Sequence, residues 1–181
     1  MKYNRVLTLK NGKKAILRNG DAPDGQEVFE VFNRCHGETD YLLTYPDENS
    51  FDPDAEAEYL AEKTKSENGI EIVAEIDGKI VGTAGISAVG SKFKVRHRAE
   101  FGVSVLREYW GLGLGRALTE ACIGCAREAG YEQLELNAVL ENERATSLYR
   151  DCGFVEFGRN PRGFKSRTGK YQEVVYMRLE L

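Results

Sequence analysis

Three glycines at alternate positions are the residues whose type and spacing first indicate chemistry. Gly111, Gly113 and Gly115 lie within residues 109–118, between an alternating apolar segment and a helical pattern. A glycine-rich turn lets the backbone lie close against a ligand. The N–H groups of a helix's first turn lack intrahelical partners and stand at the positive end of its dipole. The segment therefore predicts a pyrophosphate site, in which each charge-assisted hydrogen bond contributes about 1.5–3 kcal/mol.

The glycine segment has three alternative interpretations: a P-loop, a dinucleotide-binding turn and a turn without a ligand. A P-loop requires Lys-Ser/Thr after its last glycine, and no glycine of this segment is followed by that pair, which nearly excludes it. A dinucleotide-binding Rossmann turn has the same order of strand, glycines and helix, with Glu135 about 20 residues further on. The Rossmann pattern is Gly-x-Gly-x-x-Gly, however, whereas this segment has Gly-x-Gly-x-Gly. In addition, the five residues 106–110 separate the strand from the first glycine, and a tight turn has no room for them. A glycine turn that binds nothing also remains open.

A second group of residues lies downstream, at 142–154. The sequence there is Asn-Glu-Arg-Ala-Thr-Ser-Leu-Tyr-Arg-Asp-Cys-Gly-Phe. It resembles the GNAT superfamily of N-acetyltransferases, whose signature in this region is Asn-x-x-Ala-x-x-Leu-Tyr-x-x-x-Gly-Phe. The family's acetyl-CoA motif, Arg/Gln-x-x-Gly-x-Gly/Ala, then aligns with the first segment. That alignment makes Gly113 and Gly115 the motif glycines and places Trp110, a departure, at the Arg/Gln position.

The resemblance covers both motifs at their expected separation and the order of elements over residues 70–179, whereas residues 1–68 match only in general layout. It implies the α+β GNAT acyl-CoA N-acyltransferase fold, with a mixed, mostly antiparallel sheet flanked by helices. It also implies acetyl-CoA as cosubstrate and a primary amine, on a small molecule or a peptide, as acceptor. Trp-Gly-x-Gly-x-Gly, together with Gly-Lys-Tyr-x-Glu at residues 169–173, is similar to the branch that includes ribosomal-protein and small-amine acetyltransferases.

In that family the strand before the glycines is splayed from its neighbour and binds the acetyl and pantetheine groups, while the glycine loop binds the pyrophosphate. The cofactor-binding residues that the resemblance implies are Val103, Ser104, Val105, Gly111, Leu112, Gly113, Leu114, Gly115, Arg116 and Asn142. Asn142 is equally well explained as a helix N-cap. The side chains of Arg116, Arg144 and Arg150 could reach the ribose phosphate of CoA or remain solvated helix charges.

Tyr149 is the residue that the resemblance assigns as proton donor to the departing thiolate. A phenol of pKa ~10 stays protonated at neutral pH and can serve a thiolate whose conjugate acid has a pKa of ~8.5. Core packing against Ala145 and Cys152, one turn away on the same helix face, is the alternative for this side chain.

The acceptor amine needs a base, because an amine of pKa ~10 is mostly protonated at neutral pH. Glu100 is the side-chain candidate, near the start of the ligand-facing strand, where partial burial would raise its pKa. By alternation it shares a face with Gly102 and Ser104, away from Phe101. A water chain is the alternative base, and His97 is the fallback residue.

The surrounding elements follow from turn signals and periodicity. Asn-Gly at 11–12 predicts a hairpin over residues 6–18, and Asp-Gly at 77–78 predicts a second over 70–76 and 79–89. Before the glycine segment we predict a helix capped by Asp24, a helix over 52–67 with Asp52 as cap and Pro53 at its first position, and a strand over 92–105. After it we predict a helix from the glycines to Gly130, a strand over 134–139, a helix over 142–151 and a short strand to Phe157. A polar stretch over 159–169 then leads to a last strand over 171–179.

The acceptor pocket is the part of the site that the sequence describes least. Tyr41, Tyr45, Phe164 and Tyr171 are aromatic candidates for its walls. Pairing through the C-terminal strand, taken as an edge strand, predicts a homodimer. Two other functions stay open: an acyl-CoA-binding regulator without turnover, and a Rossmann oxidoreductase.

Composition favours one domain over residues 1–181 and excludes some partners. A net charge of −4 gives no general attraction to nucleic acid or anionic membrane. No apolar run approaches the ~20 residues of a membrane span, so a cytosolic location is expected. Cys122 and Cys125 form a CxxC inside a helical pattern without a second pair, which indicates packed, inert thiols. No metal is expected.

Overall fold

The computed structural model describes residues 1–181. The strands are β1 Asn4–Thr8, β2 Lys14–Asn19, β3 Ile70–Ile76, β4 Lys79–Ala88, β5 Arg98–Val105, β6 Gln133–Val139, β7 Val155–Lys165 and β8 Tyr171–Glu180. The α-helices are α1 Gly25–Gly37, α2 Pro53–Lys65, α3 Leu114–Glu128 and α4 Glu143–Asp151. All strands join one sheet in the order β1-β2-β3-β4-β5-β6-β8-β7.

Neighbouring strands in this sheet are antiparallel, except for the parallel pair β5 and β6. The predicted α+β class with a mostly antiparallel sheet is confirmed. A doubly wound Rossmann domain is built on a mostly parallel sheet. The topology therefore excludes the dinucleotide-binding alternative for the glycine segment.

The helices cover the two faces of the sheet differently. On one face Leu60 of α2 packs near Val73 of β3, and the α1 and α2 helices pack against each other and against β3 to β5. On the other face Tyr149 of α4 contacts Phe101 of β5 edge-on. The α3 helix lies beside α4, since a Cβ atom at Gly115 would stand 3.5 Å from Leu148.

Both predicted hairpins are confirmed, and so is the start of α2. The β1–β2 and β3–β4 pairs are antiparallel hairpins around the Asn-Gly and Asp-Gly turns. Asp52 accepts a hydrogen bond from the Ala55 N–H at 2.8 Å, with Pro53 at the first helical position. Local turn and cap chemistry is short-range, so it is well encoded in sequence.

Asp24 occupies the N-cap position of α1, as predicted, but its side chain makes no capping hydrogen bond. A short 3₁₀ turn, Ala22–Asp24, precedes α1, and Asp21 rather than Asp24 caps it. The Asp24 carboxylate instead accepts two hydrogen bonds from the Arg18 guanidinium, at 2.7 and 2.9 Å. A charged partner on β2 therefore takes the carboxylate that the sequence pattern assigned to the helix end.

Two strand boundaries also differ from expectation. Residues 92–97 are not strand: backbone bonds from Val95 and Arg96 to the Lys92 carbonyl form turns, and β5 begins at Arg98. Conversely, β7 runs through the polar residues to Lys165, because β8 pairs with it across two register shifts. Local turns therefore shorten β5 at its start, whereas long-range pairing with β8 overrides the polar composition of β7.

The C-terminal strand is not an edge strand. β8 lies between β6 and β7, and the free edges of the sheet are β1 and β7. The backbone groups that the predicted dimer contact requires are therefore already paired within the chain.

The two cysteines of α3 lie in the core as free thiols. Cys122 and Cys125 are buried and not disulfide-bonded, and burial raises the pKa of the Cys125 thiol to about 11. Both are packed thiols, as predicted.

None of the helices combines the length and apolar character needed to cross a membrane.

Candidate active site

The central feature of the site is a split between β5 and β6. The two strands pair at only three positions, Arg98 with Gln133, Ala99 with Leu134, and Glu100 with Glu135. Beyond Glu100 they separate, while β5 keeps its β4 partner as far as Val105. From the Phe101 carbonyl onward, the side of the β5 backbone that faces β6 therefore has no strand partner and is open to a ligand.

Alternation decides which β5 residues face the split. The Leu106 N–H donates to the Val81 carbonyl at 2.9 Å, so even-numbered residues direct their backbone groups toward β4. Val103 and Val105, two of the predicted cofactor-binding residues, direct theirs toward the split. Ser104 does not, and its side chain lies beside the Cys35 thiol of α1. Any contact of Ser104 with a ligand would have to use its side chain.

Trp110 links the end of β5 to the glycine segment. Its indole Nε1 donates to the Val105 carbonyl oxygen at 2.6 Å, on the split side of the strand. The guanidinium carbons of Arg144 and Arg107 lie 5.2 and 5.8 Å from its ring centroid. Where the family motif has Arg or Gln, this chain therefore has the amphipathic indole ring of Trp110, with two guanidinium groups beside it.

The glycine segment presents an anion-binding helix N-terminus. Gly111 and Gly113 have φ values of 79° and 92°, in the left-handed region that favours glycine. The first α3 bond runs from the Ala117 N–H to the Gly113 carbonyl, at 3.1 Å. Consequently the N–H groups of Leu114, Gly115 and Arg116 have no helical acceptor, as a pyrophosphate site requires.

Lys10 is a residue of this site that sequence reasoning missed. Its N–H donates to the Leu112 carbonyl at 3.2 Å, and its Cε atom would lie 4.0 Å from a Cβ atom at Gly113. The tip of the β1–β2 hairpin thus brings an ammonium group to the glycine segment. Only the Asn-Gly turn beside Lys10 was visible in the sequence, and nothing local shows what that turn packs against.

The three arginines have different surroundings. The Arg116 guanidinium pairs with Asp151 at 2.7 Å, so only its backbone N–H faces the anion site. Arg144 lines the groove over Trp110, whereas Arg150 is exposed and does not line it. Of the three, Arg144 is the side chain best placed for a phosphate.

Tyr149 is buried and also lines the groove, with 8% of its surface exposed. Its ring meets Phe101 and Phe154 edge-on, at centroid distances of 6.1 and 6.0 Å. Burial raises the pKa of this phenol to about 12, with a smaller effect from Cys152. Both predicted interpretations fit this position, since the ring packs in the core while the residue borders the groove.

Glu100 lines the groove on the α1–α2 face, together with Gly102. The expected partial burial of Glu100 is wrong, because its side chain is exposed. Glu100 is also the last β5 residue that pairs with β6, so it lies where the split begins. His97 does not line the groove; its carbonyl accepts the Glu132 and Gln133 N–H groups.

Asn142 caps α4 and borders the groove. Its side-chain oxygen accepts from the Ala145 N–H at 3.3 Å, as the helix N-cap interpretation expects. Among the aromatic residues, Tyr41 and Phe164 line the groove. Tyr45 instead bonds the Arg167 N–H through its hydroxyl, at 3.1 Å, and Tyr171 lies beside Arg162 and Lys165.

Together these residues border a groove of about 1110 Å³ that passes through the split and opens on both faces of the sheet. One part has free backbone groups, a helix N-terminus and nearby cations, which suits an extended ligand carrying phosphates. The other part lies under α1 and α2. A split mixed sheet with an anion-binding helix at its open end is the arrangement of an acyl-CoA N-acyltransferase. Residues 26–154 match the family model described as Acetyltransferase (GNAT) family, and the chain belongs to that family.

Individual relatives agree with this assignment. The chain is 28% identical over 110 residues to the L-amino acid N-acyltransferase MnaT of Escherichia coli, covering 61% of this chain and 63% of MnaT. It thus spans less than two thirds of that relative's length. The structure superimposes on a Streptococcus pneumoniae acetyltransferase of the GNAT family with a TM-score of 0.88 and 29% identity, covering 92% of this chain and 99% of that one.

A further solved structure is similar in fold alone. It is yncA, an acetyltransferase from Salmonella typhimurium described with its cofactor acetyl-CoA. The TM-score is 0.82 at 22% identity, and the match covers 92% of this chain and 94% of that one.

Proposed function

We propose that this protein transfers the acetyl group of acetyl-CoA to a primary amine, on a small molecule or at a protein α-amine, by direct attack in a ternary complex. The observation that carries the proposal is the split beyond Glu100, which leaves the Phe101 carbonyl, the backbone of Val103 and the N–H of Val105 without a strand partner. Family membership supports the same chemistry.

The donor would lie along the split and the glycine segment. Val103 and Val105 offer backbone groups to the acetyl and pantetheine arm, and the N–H groups of Leu114, Gly115 and Arg116 face the pyrophosphate. Gly111 and Leu112 shape the turn, with Lys10 and Arg144 adding positive charge. Asn142 fixes the start of α4, which carries Tyr149.

The reaction needs a proton removed and a proton supplied. In the proposed sequence the amine loses its proton to Glu100 or to water leading to it, and its nitrogen bonds the thioester carbon. The carbon–sulfur bond then breaks as Tyr149 donates its proton to the thiolate. The attacking nitrogen loses its second proton to solvent, from which the Tyr149 phenolate is reprotonated, so that the amide, free CoA thiol and the starting form of Tyr149 result. Desolvation in the groove raises the pKa of a departing thiol as it does that of Tyr149. No metal takes part in this scheme.

A covalent acetyl-enzyme is disfavoured by the state of the cysteines. Burial raises the pKa of the Cys35 thiol, which lies beside Ser104, to about 11. Such a thiol is a weak nucleophile at neutral pH because little thiolate is present. Direct attack by the amine is therefore the simpler route.

An acceptor screen tests the proposed function. Wild-type protein with saturating acetyl-CoA is incubated with amino acids, polyamines, aminoglycosides and peptides with free α-amines, and acetylated products are identified by mass spectrometry. We expect at least one acceptor to gain an acetyl group as free CoA thiol is released. Tight acetyl-CoA binding without any acetylated product would favour the non-catalytic regulator instead.

A further inference from the structure

A row of three residues crosses the sheet on the α1–α2 face and leads to the split. Glu71 of β3 pairs with Gly85 of β4, which pairs with Gly102 of β5. The Glu71 carboxylate lies over Gly85, since a Cβ atom there would stand 2.0 Å from Glu71 Oε2. A Cβ atom at Gly102 would have no neighbour within 4 Å. Two positions without side chains thus leave a path from the Glu71 carboxylate to the opening between β5 and β6.

Glu56 of α2 brings a second carboxylate to the same part of the groove. Its residue surface is 7% exposed, and it lines the groove. The carboxylate accepts no hydrogen bond and forms no ion pair, and burial alone raises its pKa. No buried side-chain oxygen of the structure lacks a hydrogen-bond partner, so the unpartnered oxygens of Glu56 must open into the groove, where a cationic ligand can reach them.

The nearest cation of the protein is engaged elsewhere. Lys63 of α2 donates its ammonium protons to the Ile86 carbonyl at 3.1 Å and to the Ser87 hydroxyl at 2.5 Å, and makes no ion pair with Glu71 or Glu56. The Glu71 carboxylate instead has the Tyr59 hydroxyl at 3.5 Å and the Thr83 side chain as hydrogen-bonding partners. The Tyr59 and Phe51 rings stand edge to face at 5.9 Å, and both line the groove. Carboxylates beside aromatic rings form a suitable environment for an organic cation.

We propose that Glu56 and Glu71 bind a second cationic group of the acceptor, so that the preferred substrates are diamines or basic amino compounds in which an alkyl spacer separates the two nitrogens. This inference rests on the proposed acetyltransferase function.

The position of the carboxylates explains why the bound cation is not the reacting nitrogen. The reacting amine must be unprotonated and must lie at the split, beside Gly102. The Glu71 carboxylate lies over β4, set back by one strand spacing of about 4.8 Å. A group that keeps its charge fits there, while the neutral amine reaches the thioester. An alkyl chain a few carbons long spans that separation over Gly102, whose face is open, because the Glu71 carboxylate itself covers Gly85.

The charge state of Glu71 agrees with a site that awaits a cation. Burial raises its pKa to about 7, and the charge of Glu56 adds to the increase, while Lys63 opposes it. A bound ammonium group would favour the ionised carboxylate and repay part of its desolvation.

Matched acceptor pairs test the subsite. Initial rates are measured for cadaverine against pentylamine, and for putrescine against butylamine, with wild-type protein, Glu71→Gln and Glu56→Gln. Glu58→Gln, an exposed carboxylate on the same helix, is the control. In the wild type we expect kcat/KM for each diamine to exceed that of its monoamine by about tenfold or more.

Each glutamine variant should remove most of that preference through KM for the diamine, with the monoamine changed less than about threefold. Equal use of the paired acceptors by wild-type protein would overturn the subsite while leaving the transferase function intact. A parallel loss for diamine and monoamine in both variants would also overturn it. Acetylation of no amine at all would refute the proposed function itself, and the subsite with it. The wild-type comparison needs no variant to fold.

Discussion

Tyr149 is the residue on which the proposed proton transfer to the departing thiolate depends. The Leu-Tyr pair of the second motif identified it, and the structure places it against Phe101 at the edge of the split. Its burial could not be inferred from spacing, because it depends on Phe101 and Phe154 from distant segments. The bond from Trp110 to the Val105 carbonyl is local by contrast, because the short 3₁₀ turn Arg107–Tyr109 brings the indole back to the end of β5.

Tyr149→Phe is expected to lower kcat by about 100-fold or more, the usual contribution of a positioned general acid. Because the raised pKa keeps the phenol protonated, wild-type activity should show no loss from Tyr149 ionisation between pH 7 and 10. Steady-state rates across that range check both points. A thermal melt close to wild type would show that the fold is intact, and a variant of unchanged kcat would contradict the proton-donor role.

Glu100→Gln addresses the base. If Glu100 takes the amine proton, the variant should lose about 100-fold in kcat at neutral pH and recover as pH approaches the pKa of the free amine. A full pH–rate profile of the variant against wild type measures this. An ascending limb that is unmoved in position and height would assign the proton transfer to water or to the substrate's own ionisation.

Among the elements, the hairpins and the cap of α2 were predictable, whereas segment lengths were not. Asn-Gly, Asp-Gly and the Asp52-Pro53 pair act within a few residues, so their outcomes follow from local sequence. The length of β7 depends on β8, and the split depends on β5 and β6 ceasing to pair after Glu100. No local pattern encodes where two strands part, so the open edge was expected from the family resemblance alone.

Gly113→Ala tests the glycine turn as an element. Its φ of 92° costs a residue with a Cβ atom about 1–2 kcal/mol. We expect a lower melting temperature and weaker acetyl-CoA binding by calorimetry, because relaxing the turn moves the α3 N–H groups. Gly124→Ala is the matched control: it lies within α3 with open space around it, and should be neutral or stabilising by up to about 1 kcal/mol. Equal acetyl-CoA affinity in both variants would contradict the anion-site assignment.

At the scale of the whole molecule, the groove joins two faces of one sheet. The α3–α4 face and the glycine segment suit the donor, and the α1–α2 face suits the acceptor. The acceptor side draws on β3, α2 and the connection between α1 and α2, which are far apart in sequence. Glu56 and Glu71 looked like ordinary charged positions for that reason, and only the assembled sheet brings them together.

The ionised carboxylate of Glu71 should lower the free energy of unfolding of the ligand-free protein. Its folded pKa of about 7 lies above its ordinary value of 4.5, so the favourable contribution of the protonated form is lost as pH rises from about 4.5 through 7. Glu71→Gln should therefore raise the free energy of unfolding at pH 8 by about 1–3 kcal/mol and change it little at pH 4.5. Denaturant melts at the two pH values test this. A variant that is less stable than wild type at pH 8 would show that the charged carboxylate stabilises the fold.

The most direct test of the central claim is an initial-rate study in which acetyl-CoA and an accepted amine are both varied. Direct transfer in a ternary complex predicts intersecting double-reciprocal lines, with one acetylated amine formed for each CoA released. Parallel lines, together with an acetylated protein isolated in the absence of amine, would contradict the account, since they would require a covalent acetyl-enzyme.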